Sequence, residues 1–294
     1  MIRVVVLGSG AAIPGPERGL TAIALKFGGS VYLFDCGEGT QRQMMIHGVS
    51  YAKVAAIFVS HSHADHILGI AGLAHTLNLL RRTEPLPIYC PRGAKRHIDA
   101  LLSIGEYGYR IPVTEVDAGS VMDGNGFRVS AFRVCHSRPS LGYLFTEADR
   151  RNFDEKKARA LGVKGKLFGE LERSGSAVVN GKKISYASVS KLKKGSSVAF
   201  AGDSMPCEST VAAAKGAALL IHEATYASDK EADAALHKHS TAAQAASVAK
   251  KAKVKQLVLT HVSNRYTDLS THLSEAKKVF RKTSVATDGA AFDV

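Results

Sequence analysis

Short apolar runs alternate with stretches of helical periodicity along the whole chain, and this alternation constrains the fold more than any other feature. The runs at 2–8, 31–35, 55–60, 86–90, 127–134, 141–146, 197–202, 218–224, 256–261 and 284–287 are rich in valine, isoleucine, leucine and phenylalanine. They read as strands. Helical spacing occupies 40–47, 68–82, 92–104, 208–215, 240–252 and 272–282. Thr241, three residues before Gln244, predicts a capped helix start. Such a chain builds sheets covered by helices, an α/β architecture. No apolar stretch reaches the roughly 18 residues of a membrane span. The start, "MIRVVVLGSG", lacks the length and cleavage site of a secretion signal. Cys36, Cys90, Cys135 and Cys207 form no CxxC pair, which predicts free thiols and a cytoplasmic protein.

Several strand-like runs end in residues that bind metals. "AKVAAIFV" runs into "SHSHADHILG", where His61, His63, Asp65 and His66 fall within six positions. Neutral imidazoles and carboxylates are the ligands of zinc and similar ions. On a loop leaving a strand, His61 and His63 can face one ion while Asp65 and His66 turn toward a second. Two ions need further partners, and His136, Asp203 and His261 each follow an apolar strand. "GSGAA" lacks the third glycine of a dinucleotide fingerprint and reads as a tight turn.

The net charge is +13, and its distribution is uneven. Residues 149–194 hold 13 basic and 5 acidic groups, net +8, and are rich in glycine and lysine with few apolar residues. This segment reads as an excursion from the core, an arm or long loop, suited to a polyanionic partner.

The chain resembles the ribonuclease Z family of the metallo-β-lactamase superfamily. The likeness is carried by "LGSGAAIP" (7–14), "FDCGEGTQRQ" (34–43), "SHSHADH" (60–66), "HSRPSLGY" (136–143), "AGDS" (201–204), "HEATY" (222–226), "HSTAAQAA" (239–246) and "LTHVSNRY" (259–266). The resemblance implies one domain over 1–294, an αββα sandwich, interrupted at 149–194 by a basic protruding arm that grips tRNA. It implies two zinc ions, one on His61, His63, His136 and Asp203, the other on Asp65, His66, Asp203 and His261. Manganese or iron suits the same donors. Asp65 then orients the attacking water and takes its proton. His239 stabilises charge or protonates the leaving oxygen, and Glu223 orients it.

The implied activity is removal of the 3′ trailer from precursor tRNA, leaving a 3′-hydroxyl on the tRNA and a 5′-phosphate on the trailer, by a homodimer. The arm departs from the family in having Gly165 followed by Lys166 where Gly-Pro is frequent. A metal phosphodiesterase acting on small or cyclic nucleotides or other RNA is the competing reading. It would need no tRNA-gripping arm. Asp35 and Glu38 are expected to organise the loop below the metals, Cys36 to pack, and His222 to be a satisfied core histidine. His47, His75, His97, His237 and His272 carry no assigned role.

Overall fold

In the computed structural model, which describes residues 1–294, the apolar runs assemble into two seven-stranded sheets. The first has the order Ala291–Asp293, Arg3–Gly8, Ala22–Phe27, Ser30–Phe34, Val54–Phe58, Ile88–Pro91, Val113–Val116. The second has the order Thr283–Val285, Leu257–Thr260, Leu219–Glu223, Ser197–Phe200, Leu141–Glu147, Phe127–Arg133, Gly119–Gly124.

Alternation along the strands sets the layers. Phe34 and Phe58 stack at 5.3 Å and meet Phe200 and Tyr143 of the other sheet at 5.8 and 5.4 Å. Their neighbours Leu33 and Ile57 join a second cluster with Ile70, Leu73 and Leu77 of the helix Gly69–Leu79. On the other sheet, Leu220, Leu257 and Leu259 pack with Ala245, Ala246 and Ala249 of the helix Ala242–Ala252. Helices thus cover the outer faces, and the layers run α, β, β, α, as the resemblance implies. Each large side chain buried in this way contributes about 1.5–3 kcal/mol.

Register brings the strand ends together. Ser30–Phe34, Val54–Phe58 and Ile88–Pro91 run parallel, as do Ser197–Phe200, Leu219–Glu223 and Leu257–Thr260. Parallel strands place their carboxyl ends on one edge, where ligand sites are built.

The structure adds elements that periodicity missed. Ala22–Phe27 is a central strand, while Val113–Val116 and Gly119–Gly124 are exposed edge strands without a clear alternating pattern. The helix expected over 68–82 is present as Gly69–Leu79, and a short helical turn that periodicity did not show, Ala64–Ile67, precedes it. The capped start at Thr241 is present as a reciprocal capping box with Gln244.

The chain divides into two compact units, and the second comprises Asn125–Phe127 and Thr146–Ser196. It is folded around Ala158, Val163, Leu171, Ala177, Val179, Ile184 and Val189, so 149–194 is no structureless loop. The hairpin Ser176–Val179/Lys182–Ser185 turns on Asn180-Gly181, both at positive φ, as two-residue hairpin turns require. Gly165 precedes the helix Lys166–Ser174 at φ 54°, a positive φ that favours glycine. Lysines spaced through this unit hide the few residues that form its core.

Candidate metal centre

Every predicted ligand lies at or just beyond a strand's carboxyl end. His61 and His63 follow Val54–Phe58, and the helical turn Ala64–Ile67 carries Asp65 and His66. His136 follows Phe127–Arg133, Asp203 follows Ser197–Phe200, and His261 follows Leu257–Thr260. The "FDCGEG" loop locks the HSHADH turn from below. Cys36 N–H donates to the His66 carbonyl at 2.9 Å, and Gly69 N–H donates to the Cys36 carbonyl at 2.9 Å. A Cβ at Gly69 would stand 2.1 Å from the Gly37 carbonyl oxygen, so only glycine permits this approach.

Ligand atoms of Asp203, His239 and His261 lie within 4.8 Å of one another. So do those of His61, His63, His136 and Asp203, and, as a further group, those of Asp65, His66 and His261. Asp203 Oδ2 stands between them, 3.8 Å from His61 Nε2 and 3.3 Å from both His66 Nε2 and His261 Nε2. Asp65 Oδ2 is 3.3 Å from His261 Nε2 and accepts from the Ala12 amide at 2.9 Å. The site opens into a cavity of about 780 Å³ whose lining includes His63, Asp65, His136, Asp203, His239 and His261.

Buried hydroxyls and carboxylates set the histidine tautomers. Ser60 Oγ donates to Asp35 Oδ2 at 2.7 Å, so at 3.0 Å it can only accept from His61 Nδ1. His66 Nδ1 donates to the same carboxylate at 2.7 Å. His136 Nδ1 donates to the Lys238 carbonyl at 3.1 Å. Thr225 Oγ1 donates to Glu223 Oε2 at 2.7 Å and accepts from His261 Nδ1 at 2.9 Å. Each of these four rings thereby turns its Nε2 toward the cluster, as ligating histidines do.

Electrostatics agree with a cation site. Burial holds His61, His63 and His136 below the usual histidine range, His63 at about 4, and so neutral. Burial would raise Asp203, but His261 and His66 outweigh it and keep the carboxylate ionised. Burial likewise disfavours charge on His66, yet Asp203 and Asp35 raise it, so a bound cation must displace that proton. Buried His66 Nε2 and Asp203 Oδ1 have no hydrogen-bond partner in the protein. Unpaired buried polar atoms are costly unless a ligand satisfies them. The donor set and these two atoms fit divalent metal.

His239 stands beside the ligands, its ring centroid 5.0 Å from that of His136 and 5.6 Å from that of His261. Its Nδ1 donates to Glu223 Oε1 at 2.7 Å. Glu223 is fully buried and also accepts from the Ser204 and Thr225 amides, each at 3.0 Å. Burial would raise Glu223, but His239 holds it below the ordinary range. Burial would lower His239, but Glu223 outweighs it and raises the imidazole to about 9. His239 therefore carries a proton toward the cavity at neutral pH.

The expectation for Asp35 is met, but Glu38 is exposed and makes no side-chain hydrogen bond, so it does not organise the loop. Cys36 is buried, and burial pushes its thiol up to about 12. His222 is only half satisfied: Nδ1 donates to the Glu223 carbonyl, while buried Nε2 has no partner. Ser60, Thr225 and Ala12 were not foreseen as site residues. Ala12, Asp35 and His261 all have φ between 53° and 59°, an uncommon conformation outside glycine that clusters at functional sites.

The layered fold and this cluster define a metallo-β-lactamase-type hydrolase, and the family model described as "Beta-lactamase superfamily domain" matches residues 31–153 and 172–262. The chain is 43% identical over 292 residues to the ribonuclease Z of Methanothermobacter thermautotrophicus, covering 98% of this chain and 95% of that one. It is 40% identical to the ribonuclease Z of Archaeoglobus fulgidus, covering 100% and 98%. The crystal structure of the short form of human tRNase Z superposes with a TM-score of 0.74 at 28% identity, covering 99% of both chains. The chain belongs to the ribonuclease Z family.

Proposed function

We propose that the chain is a zinc-dependent endoribonuclease that cuts the 3′ trailer from precursor tRNA, leaving a 3′-hydroxyl on the tRNA and a 5′-phosphate on the trailer. The observation that carries this reading is the convergence of seven metal donors at the floor of one cavity, which His63, Asp65, His136, Asp203 and His261 line together with His239, itself held by buried Glu223. Family membership supplies the substrate class. His61, His63, His136 and Asp203 would hold one zinc, and Asp65, His66, Asp203 and His261 the other. A bound metal supplies Lewis acidity toward the phosphate and a water of lowered pKa.

The chain's own residues do the rest. Asp65, held at Oδ2 by the Ala12 amide, is kept ionised: burial opposes this, but the bond from His261 and the charge of His66 prevail. In that state it can orient the attacking water and accept its proton. His239, protonated and aimed by Glu223, delivers a proton to the departing 3′-oxygen. Charge held ready around the reacting phosphate lowers the barrier without reorganisation.

The folded unit containing 149–194 is assigned as the arm that binds tRNA. Its charge of +8 favours backbone contacts, which give affinity without reading sequence. Family resemblance favours a homodimer, and light scattering that finds only monomer at working concentration would remove that assembly. Four unpaired thiols favour a cytoplasmic location, and no helix is long and apolar enough to cross a membrane.

End-labelled precursor tRNA, incubated with metal-free and zinc-reloaded protein, tests the reading. Zinc-dependent cutting at the 3′ boundary of the acceptor stem is expected. Hydrolysis of bis(p-nitrophenyl) phosphate without cutting of the precursor would favour the small-substrate phosphodiesterase instead.

A further inference from the structure

The segments that deliver His136 and Asp203 also bring two thiols together. Cys135 precedes His136 and is exposed, while Cys207 is four residues beyond Asp203 and half-buried. The two segments pair antiparallel at Cys135 and Met205, with the Met205 amide donating to the Cys135 carbonyl at 3.0 Å. Cys207 lies two residues past Met205, on the diagonal from Cys135 and so on the same face of the paired segments, and the two thiols are close enough to influence each other's ionisation.

Cys207 is also the more reactive of the two by environment. Its sulfur is 3.1 Å from Thr210 Oγ1 and 3.2 Å from Ser209 Oγ. Ser209 is itself fixed by donating to the Arg133 carbonyl at 2.6 Å. Burial raises the thiol, but the bonds from Ser209, Thr210 and the Thr210 amide outweigh it and bring it down to about 7. Cys36 and Cys90, by contrast, are buried and pushed up to about 12.

We infer that Cys135 and Cys207 are a thiol-oxidation site, forming a reversible disulfide that loosens the metal centre. The oxidant is a peroxide. The Cys207 thiolate attacks one peroxide oxygen, an S–O bond forms, the O–O bond breaks and the second oxygen leaves as hydroxide. The Cys135 sulfur then attacks the Cys207 sulfur, the S–S bond forms, and the S–O bond breaks. The hydroxyl leaves with the Cys135 proton as water. The two sulfurs together lose two electrons, which the peroxide gains.

Geometry supplies the consequence. Diagonal residues of an antiparallel pair hold their Cβ atoms several ångströms apart, whereas a disulfide needs about 3.5–4.5 Å. Closing the bond draws the two segments together where they carry His136 and Asp203. Disturbed support of a ligand lowers metal affinity about 10- to 100-fold. This consequence rests on the metal-centre reading, but the bond itself does not.

The test uses the full chain, reduced, zinc-loaded and titrated with hydrogen peroxide, alongside Cys135→Ser and Cys207→Ser. Peptide mapping without reductant should find Cys135 joined to Cys207 at the doses that release zinc and stop cleavage. Dithiothreitol with added zinc should restore both. Cys135→Ser should cleave normally when reduced, retain zinc at those doses, and collect sulfenic acid at Cys207. The proposal is overturned if no linked peptide forms, if the linked protein keeps its zinc, or if Cys135→Ser loses zinc as readily as the parent. If the reduced parent never holds zinc, the metal reading fails, while mapping still decides the bond.

Discussion

Replacing Asp35 by Asn changes one atom of a buried side chain and should turn two ligands away from the metal. Asp35 Oδ1 accepts from the Ser60 amide at 2.6 Å, and Oδ2 accepts from Ser60 Oγ and His66 Nδ1, each at 2.7 Å. An amide that keeps its oxygen at Oδ1 puts an NH2 against two donors. Ser60 Oγ must then accept from the amide, and its proton turns to His61 Nδ1. His66 Nδ1 must become an acceptor as well. Both rings are forced to protonate Nε2, the atom each presents to the cluster. The opposite amide flip sets NH2 against the Ser60 amide instead. Asn tolerates the φ of 58° as Asp does, so the backbone has no reason to move. With one or two buried bonds failing at about 1–3 kcal/mol each, the metal-free protein should lose about 1–6 kcal/mol. Loss of a supporting partner weakens metal binding about 10- to 100-fold, so two inverted ligands predict about 10²- to 10⁴-fold. Competition with a chromophoric chelator gives the affinity, and urea unfolding of metal-free protein gives the stability. A folded Asp35→Asn protein that binds zinc within about threefold of the parent would refute the tautomer reasoning.

Three further outcomes are expected. Thr225→Val should bind zinc about tenfold or more weakly, because His261 Nδ1 loses its acceptor; Thr225→Ser should restore binding, and equal affinity in the two variants contradicts the relay. His239 has its folded pKa raised from 6.5 to about 9, so its pairing with Glu223 stabilises the metal-free protein fully below pH 6.5, and that stability is lost as pH rises through about 9. Urea unfolding should show a gap of about 3 kcal/mol between parent and His239→Gln at pH 6 that closes by pH 10, and a constant gap would contradict the linkage. Changing Lys164, Lys166, Lys182 and Lys183, all exposed, to Ala should weaken precursor binding and flatten its salt dependence, while bis(p-nitrophenyl) phosphate hydrolysis persists. An unchanged salt slope would show that these lysines do not touch phosphate.

What was legible in the chain follows from which interactions are local. A strand that ends in a chemistry-bearing residue shows both features in one short window, so His61, His136, Asp203 and His261 stand out before any fold is known. Ala22–Phe27 is a strand because two neighbours pair with it, and its alanines carry little β preference of their own. Ser60 and Thr225 look like ordinary polar residues. Their importance comes from carboxylates that are distant in sequence or buried in another strand. Asp35 reaches Ser60 across 25 positions. Thr225 sits two residues after Glu223, but the histidine it serves is 36 positions on.

The same arrangement occurs twice around the centre: a buried carboxylate takes a hydroxyl's proton, and the hydroxyl then accepts from a ligand's Nδ1. Asp35, Ser60 and His61 form one set, and Glu223, Thr225 and His261 form the other. Each carboxylate also holds a second histidine directly, His66 in the first set and His239 in the second. The second sets differ in outcome. His66 turns its remaining nitrogen to Asp203 and Asp65, 3.3 and 3.6 Å away, inside the donor cluster. His239 is held by Glu223 and lines the cavity, with its ligand atom also within 4.8 Å of those of Asp203 and His261. On the function proposed above, one supporting pattern yields a metal ligand on one side and an acid on the other. The difference lies in what the far nitrogen meets, and that is decided by how the two sheets bring their strand ends together.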